Sequence, residues 1–569
     1  MTQPRLSPIA LAIGLSLALA APAGAREGVS GPYLAGRLAM SHHDYTAASS
    51  AFTRALLSDS ANPQFLESAI VARIALGDVA RALPMLKQLD RTGVASQAAA
   101  MLTLAELARE GRFGPALTEL DEGRSSGRLV DGLYRAWALI GDGRMSDATS
   151  AFDEVGKLEG LAPFASYHKA LALASVGDFE GADAIFTAGA ADPISLSRRG
   201  LIARAQILSQ LDRAGEAADL IDGAAGADSD PLLHELSEEL AAGRTLPFTV
   251  VSSPRDGIAE VFFTVAAAMQ GDSPDPYALA YARLAAYIRP GHVDAILLSA
   301  SILETQGQYD LATDAYNDVP REDPAYTSAE LGRAASLILA GRADAAIEAL
   351  NQLAKSFPTL PRVWISLGDT LRREERYAEA AGAYDKAIAL FRDVQPQHWP
   401  VFYARGIANE RVDNWAAAEA DFRKSLQLNP DQPQVLNYLG YSFVEKGENL
   451  GEALGMIERA EKAEPQSGYI VDSLGWALYR LGRYGEAVGH MERAVALMPV
   501  DSVVNDHLGD VYWAVGRKLE AEFQWRRALS FEPEDEEEAA RIRRKIEVGL
   551  DTVLKEEGAP PLSVSADGG

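Results

Sequence analysis

The stretch LGWALYRLGRYGEAVGHMERAVALMP, Leu474 to Pro499, decides the fold. Leu474, Gly475 and Leu478 fall on one helical face, and Ala487, Met491 and Ala494 recur at the same three-and-four spacing further on. Pro499 then stops the second helix before another can begin. The stretch predicts two short helices packed through a glycine and an alanine.

The same phrase returns on both sides. LGDTLRREERYAEAAGAY begins at Leu367 and LGDVYWAVGRKLEAEFQW at Leu508, and the glycines Gly368, Gly406, Gly440, Gly475 and Gly509 stand 38, 34, 35 and 34 residues apart. A two-helix period near 34 resembles the tetratricopeptide repeat family. With that glycine at position 8, the family pattern wants a large residue at 4, Leu at 7, Ala at 20, an aromatic at 24, Ala at 27 and Pro at 32. The repeat from Pro361 supplies Trp364, Leu367, Gly368, Leu371, Ala380, Tyr384 and Ala387, with Arg392 in place of the proline. The resemblance implies an all-α fold: a right-handed α-solenoid of about fourteen helix-turn-helix repeats, whose core grows by stacking. In this reading the glycine at 8 faces the alanine at 20 where the two helices cross, so Gly368, Gly406, Gly440, Gly475 and Gly509 meet Ala380, Ala418, Ala453, Ala487 and Ala521.

Carried outward, the register keeps alanine at position 20 throughout: Ala48, Ala82, Ala116, Ala148, Ala182, Ala217, Ala278, Ala312 and Ala346 precede the five already named. Proline fills position 32 at Pro290, Pro324, Pro358, Pro430, Pro465, Pro499 and Pro533. The expected organisation is a degenerate array of about six repeats over 26–230, an irregular joint over 231–258, about eight better repeats over 259–535, a capping helix over 536–557 and a disordered tail over 558–569. In the joint, GRTLPFTVVSSPRDG (Gly243–Gly257) breaks the period with two prolines and a β-leaning middle. The capping helix has acids from Glu532 to Glu538, bases from Arg541 to Lys545, and an apolar face of Ala539, Ile542, Ile546, Leu550 and Val553.

Composition narrows the partners. Against 53 Lys plus Arg stand 80 Asp plus Glu, a formal charge of −27, which disfavours nucleic acid and anionic lipid. No cysteine occurs, which removes disulfides, thiol catalysis, cysteine-based metal sites and a bacterial lipoprotein anchor. Arg5, the apolar run Ile9–Ala21 and Ala23-Gly24-Ala25 predict a secretory signal over 1–25, too short for a membrane span. The expected location is the periplasm.

The sequence predicts no enzyme, cofactor or metal site. Repeats, joint and cap leave no room for a catalytic domain, and the zinc-peptidase, phosphate-loop and nucleophile-elbow motifs are missing. His42, His43 and Asp44 cluster only in the turn of the first repeat. Function must then lie on the stripe of the first helix that its own repeat leaves free, positions 2, 5, 9 and 12, about 120° from the packing stripe. In the tetratricopeptide family this stripe lines the concave groove where peptides lie. It carries Tyr403, Asn437, Tyr441, Tyr469, Asp472, Trp476, Tyr479, Asp506, Asp510 and Trp513, aromatics for anchoring area with amides and acids for an extended backbone. The acids disfavour a terminal carboxylate and favour a neutral, aromatic-rich or basic segment. The expected function is an exported scaffold or adaptor for other polypeptides in envelope protein assembly or placement, similar to exported tetratricopeptide proteins of Gram-negative bacteria. The alternative is a non-catalytic subunit of an envelope enzyme complex.

Overall fold

The computed structural model describes residues 30–189, 194, 197–224, 230–270, 276–533 and 535–562. The expected signal segment, 1–25, and the last residues of the expected tail lie outside them. Among the described residues all regular structure is helical, from α1 (Ser30–Ser41) to α31 (Leu550–Glu556), with no strand. The first twelve helices, through α12 (Ala214–Asp222), follow one another as six pairs. A lone helix α13 (Pro231–Ala241) follows, then eight further pairs from α14 (Pro254–Ala268) to α29 (Lys518–Ser530), and α30 (Glu536–Val548) and α31 close the described chain. All the position-20 alanines, Ala48 to Ala521, lie in the second helix of a pair and are at most 4% exposed.

Helix starts follow from side chains that accept the first free amides. Asp44, Asn62, Ser96, Asp178, Ser253 and Asp501 each cap a helix this way, and Pro63, Pro254, Pro361 and Pro433 occupy first turns, where a missing N–H costs nothing. Asp44 is thus a helix cap.

The chain forms two compact units divided between Ala349 and Leu350. In the carboxyl-terminal unit the glycine of each repeat is a notch. A Cβ on Gly368, Gly406, Gly440, Gly475 or Gly509 would come within 2.2–2.7 Å of Tyr384, Phe422, Ile457, Met491 or Trp525. The residue filling the notch is therefore the large side chain at position 24. A bulky residue seats there because its partner lacks a side chain, and at Gly440 the carbonyl of the position-20 alanine, Ala453, also stands 3.1 Å from that Cβ.

The amino-terminal unit departs from a simple stack. Helices α14 and α15 (Pro276–Ile288) pack as a hairpin on α3 (Pro63–Ala75), α5 (Gln97–Arg109), α7 (Arg128–Gly141) and α9 (Ala162–Ser175), the first helices of four successive pairs. Trp137, fully buried on α7, lies against Gly257, where a Cβ would stand 2.2 Å from the ring. Its indole Nε1 donates to His168 Nδ1 at 3.2 Å, and His168 Nε2 meets the Thr264 hydroxyl at 3.0 Å. Burial lowers the His168 pKa to about 4, so the ring is neutral at physiological pH.

Three residues after Gly257 on α14, Glu260 is completely buried. It accepts from Tyr167 at 2.8 Å and Arg199 at 2.9 Å and meets His292 at 3.2 Å. Burial alone would raise its carboxyl, but Arg199 and His292 outweigh it and hold the pKa well below the usual carboxylate range. A buried charge with all its partners supplied is a fixed internal joint. Contacts here run beyond adjacent repeats, because α14 and α15 return across the array.

The expected joint is also partly ordered helix: α13 begins at Pro231 and α14 at Pro254, leaving only 242–253 non-helical. The single capping helix is two, because Gly549 takes φ 82° and breaks the run between α30 and α31. Ile542 and Leu550 are nevertheless fully buried, α30 against α29.

Candidate functional site

Four first helices build the site in the carboxyl-terminal unit: α22 (Trp399–Glu410), α24 (Pro433–Lys446), α26 (Gly468–Arg480) and α28 (Ser502–Ala514). Between them lies an open cavity of about 470 Å³. Asn437, Tyr438, Tyr441, Tyr469 and Asp472 line it, with Glu410, Arg411, Glu445, Lys446, Asp501 and Val503 around them. Four carboxylates face two basic side chains there, so the rim is net acidic.

Of the stripe residues, the structure brings Asn437, Tyr441, Tyr469 and Asp472 to this cavity. Tyr469 is 66% exposed, a large ring held out in water on an ordered helix. Asn437 Oδ1 is buried and has no hydrogen-bond partner among the described residues. An amide oxygen so placed costs about 1–3 kcal/mol until a donor reaches it. Tyr441 lies deeper, and burial together with the nearby Glu445 and Asp472 raises its phenol well above the ordinary value.

The other stripe residues serve the protein's own packing. Tyr403 packs on Phe422 and Tyr438 at ring distances of 6.0 and 5.9 Å. Trp476 stacks between Tyr479 at 4.7 Å and His507 at 4.0 Å, and its Nε1 donates to Glu445 at 2.6 Å. Tyr479 is buried beneath it. Asp472, although it touches the cavity, is itself 6% exposed and bonds His507 Nδ1 at 3.0 Å. Burial works to lower the His507 pKa, but the Asp472 carboxylate outweighs it and holds the pKa above the ordinary value.

Asp506, Asp510 and Trp513 are corrected most. Lys545 of α30, completely buried, donates to Asp506 at 2.7 Å and to Asp510 at 2.8 Å. Asp510 also accepts from Trp525 Nε1 at 2.9 Å. Trp513 packs over Gly549 and donates to Asp551 at 3.0 Å. The cap thus covers the last repeat's stripe with a cation that neutralises its acids. Sequence reasoning placed these residues on the right side of the helix and missed what covers them. The signal was present: Lys545 stands three residues after Ile542 and beside Ile546, on the helical face of the cap's apolar residues.

Four charged lining residues not among the named stripe residues, Glu410, Arg411, Glu445 and Lys446, come from the carboxyl-terminal ends of α22 and α24, Glu410 at position 12 of its repeat. Among the described residues no cluster of three or more His, Cys, Asp or Glu is arranged to hold a metal, and no helix is long and apolar enough to cross a membrane.

Paired helices with buried alanines, glycine notches and an open cavity across successive first helices define an all-α repeat protein. Residues 33–93, 331–395, 403–467 and 446–502 match the tetratricopeptide repeat family model, and the chain carries tetratricopeptide repeats. Over 184 residues it is 28% identical to a TPR repeat-containing protein of Pseudomonas aeruginosa, a stretch covering 32% of this chain and 30% of that protein. Over 186 residues it is 30% identical to tetratricopeptide repeat protein 13 of Homo sapiens, covering 32% of this chain and 21% of that one. The matched stretch spans less than a third of the length of either relative. Among solved structures it is similar to Cut9–Hcn1 of the APC/C hetero-tetramer, at 16% identity over 92% of this chain and 96% of that one, with a TM-score of 0.36. It is also similar to YrrB, a TPR protein with an unusual peptide-binding site, at 18% identity over 35% of this chain and 99% of that one, with a TM-score of 0.28. Tetratricopeptide repeats generally mediate protein–protein interaction.

Proposed function

We propose that this chain is an exported, periplasmic scaffold or adaptor that holds an extended polypeptide segment across α22, α24, α26 and α28 during envelope protein assembly or placement. The observation that carries the reading is Asn437. Its unpartnered buried Oδ1 can accept a main-chain N–H, while Tyr441 and Tyr469 flank it with aromatic area. Main-chain recognition tolerates many sequences, which suits a holder of several clients. The acidic rim favours a neutral or basic segment and slows an acidic one. Location rests on the small-x-small pattern Ala23-Gly24-Ala25, from which the mature chain begins at Arg26.

The test is selection of peptides from a displayed random library on the purified protein, repeated with Asn437→Ala and with Tyr469→Ala. Selected peptides should be neutral or basic, and Asn437→Ala should weaken them by about tenfold, the worth of one hydrogen bond left unmade. Peptides that bind both variants as well as the parent would remove the cavity from the function.

A further inference from the structure

The non-helical segment between α13 and α14 lies in the amino-terminal unit as a bound peptide would. From Leu246 to Val250 its residues alternate in burial: Leu246, Phe248 and Val250 turn inward, Pro247 and Thr249 outward. That two-residue period is the signature of an extended strand lying on a surface. Among the described residues no strand pairs with it. Side chains of α11 (Arg198–Gln210) hold its backbone instead.

Ser209 Oγ accepts from the Leu246 N–H at 2.8 Å, and Gln210 donates to the Leu246 carbonyl at 2.7 Å. The Gln206 amide bonds Thr249 twice, accepting from its N–H at 2.9 Å and donating to its hydroxyl at 2.9 Å. Arg199 donates to the Val250 carbonyl at 3.1 Å, and Arg289 reaches the same oxygen at 2.8 Å. In the repeat register that puts Ala217 at position 20, Arg199, Gln206 and Ser209 are positions 2, 9 and 12. Positions 9 and 2 are those at which α24 and α26 present Tyr441 and Tyr469 to the open cavity of the carboxyl-terminal unit. The first helix of the sixth repeat therefore uses its free stripe to grip the chain's own backbone.

Most of these contacts go to peptide N–H and C=O groups, which every sequence offers. The selective part is the seating of apolar side chains at every second residue, with Leu246 and Val250 at most 4% exposed. Space remains beside the segment: a cavity of about 250 Å³ is lined by Gln206, Leu232, Leu236, Pro247, Thr249 and Arg289.

We propose that this face of α11 is a receptor for an extended polypeptide bearing apolar side chains at alternate residues, that the chain's own Leu246–Val251 segment occupies it as an internal ligand, and that a partner segment of the same pattern binds by displacing it. An internal ligand acts at an effective concentration on the order of millimolar, so it suppresses a competitor in proportion to its own occupancy.

The probe is a fluorescent peptide of the sequence RTLPFTVVSS, residues Arg244 to Ser253, added to the full-length protein. Leu246→Asp with Val250→Asp expels the internal segment from its apolar seats and leaves α11 unaltered. Anisotropy titration should show saturable binding to this variant at least about tenfold tighter than to the parent. Adding Gln206→Ala should abolish the gain, and a scrambled peptide should not bind. Absence of saturable binding to a folded double variant overturns the proposal. Should that variant not fold, hydrogen exchange on the parent decides: at millimolar peptide the Leu246 and Thr249 amides must lose protection, and unchanged protection overturns displacement.

Discussion

Replacing Lys545 with Met keeps an unbranched side chain of similar length but removes the charge between Asp506 and Asp510. In the native protein the ammonium is completely buried and lies 2.7 Å from each carboxylate. Breaking such a pair from one side costs about 3–5 kcal/mol, because the remaining charges stay desolvated. Here the protein has a cheaper escape. If α30 and α31 leave, both carboxylates regain water, and what is lost is the cap's burial of Ala539, Ile542, Leu550 and Val553 with the Trp513–Asp551 hydrogen bond. The penalty should therefore appear as undocking of the cap rather than melting of the repeats. A loss of about 3 kcal/mol speeds amide exchange in α30 and α31 by at least about a hundredfold, while α24 should exchange at the parent's rate. Burial raises the Asp510 carboxyl, with Lys545 opposing and Asp506 adding to the rise. A raised carboxyl binds its proton more tightly in the docked state, so lowering the pH from neutral through that raised value should restore docking in the variant. Unchanged protection of the cap, or equal loosening of every repeat, would refute the reasoning.

Three further outcomes are expected. Ala487→Leu adds bulk at a fully buried position and should cost about 1–3 kcal/mol by denaturant titration, with exchange loosened around α26 and α28 and not in the amino-terminal unit. Gly257→Ala forces a methyl to within 2.2 Å of the Trp137 ring and should cost a similar amount in that amino-terminal unit, read by tryptophan fluorescence. His507, held above its ordinary pKa by Asp472, contributes stability that is full below the unfolded value of about 6.5 and is lost as pH rises through the folded value. His507→Gln should flatten that dependence above about pH 6.5, and an unchanged profile would assign it to other groups.

The helix pairs were legible because alanine at position 20 and glycine at position 8 report local contacts within one repeat. Ala487 and Gly475 could be placed from spacing alone. The site was legible only in part. Helical geometry put Asn437 and Tyr469 on the free stripe, and there they remain. It put Asp506, Asp510 and Trp513 on the same stripe, yet a helix more than twenty residues later covers them through Lys545 and Gly549. The return of α14 onto α7 and α9 was equally hidden, since it depends on matched partners, Glu260 with Tyr167 and Gly257 with Trp137, far apart in the chain. Periodicity reports which face a residue occupies, but long-range pairing decides what that face meets.

The glycine notches bear on how such a sequence can drift. On one side of each contact only glycine fits, whereas the side chain that enters ranges from Ile457 to Trp525. Mutation is thus confined to one partner of every pair: the filler can be exchanged among large apolar residues at modest cost, while any change at the notch collides at once. Helix pairs from this chain should accordingly be interchangeable as cassettes when notch and filler travel together, and incompatible when a cut between the two helices gives one repeat's glycine an oversized filler from another.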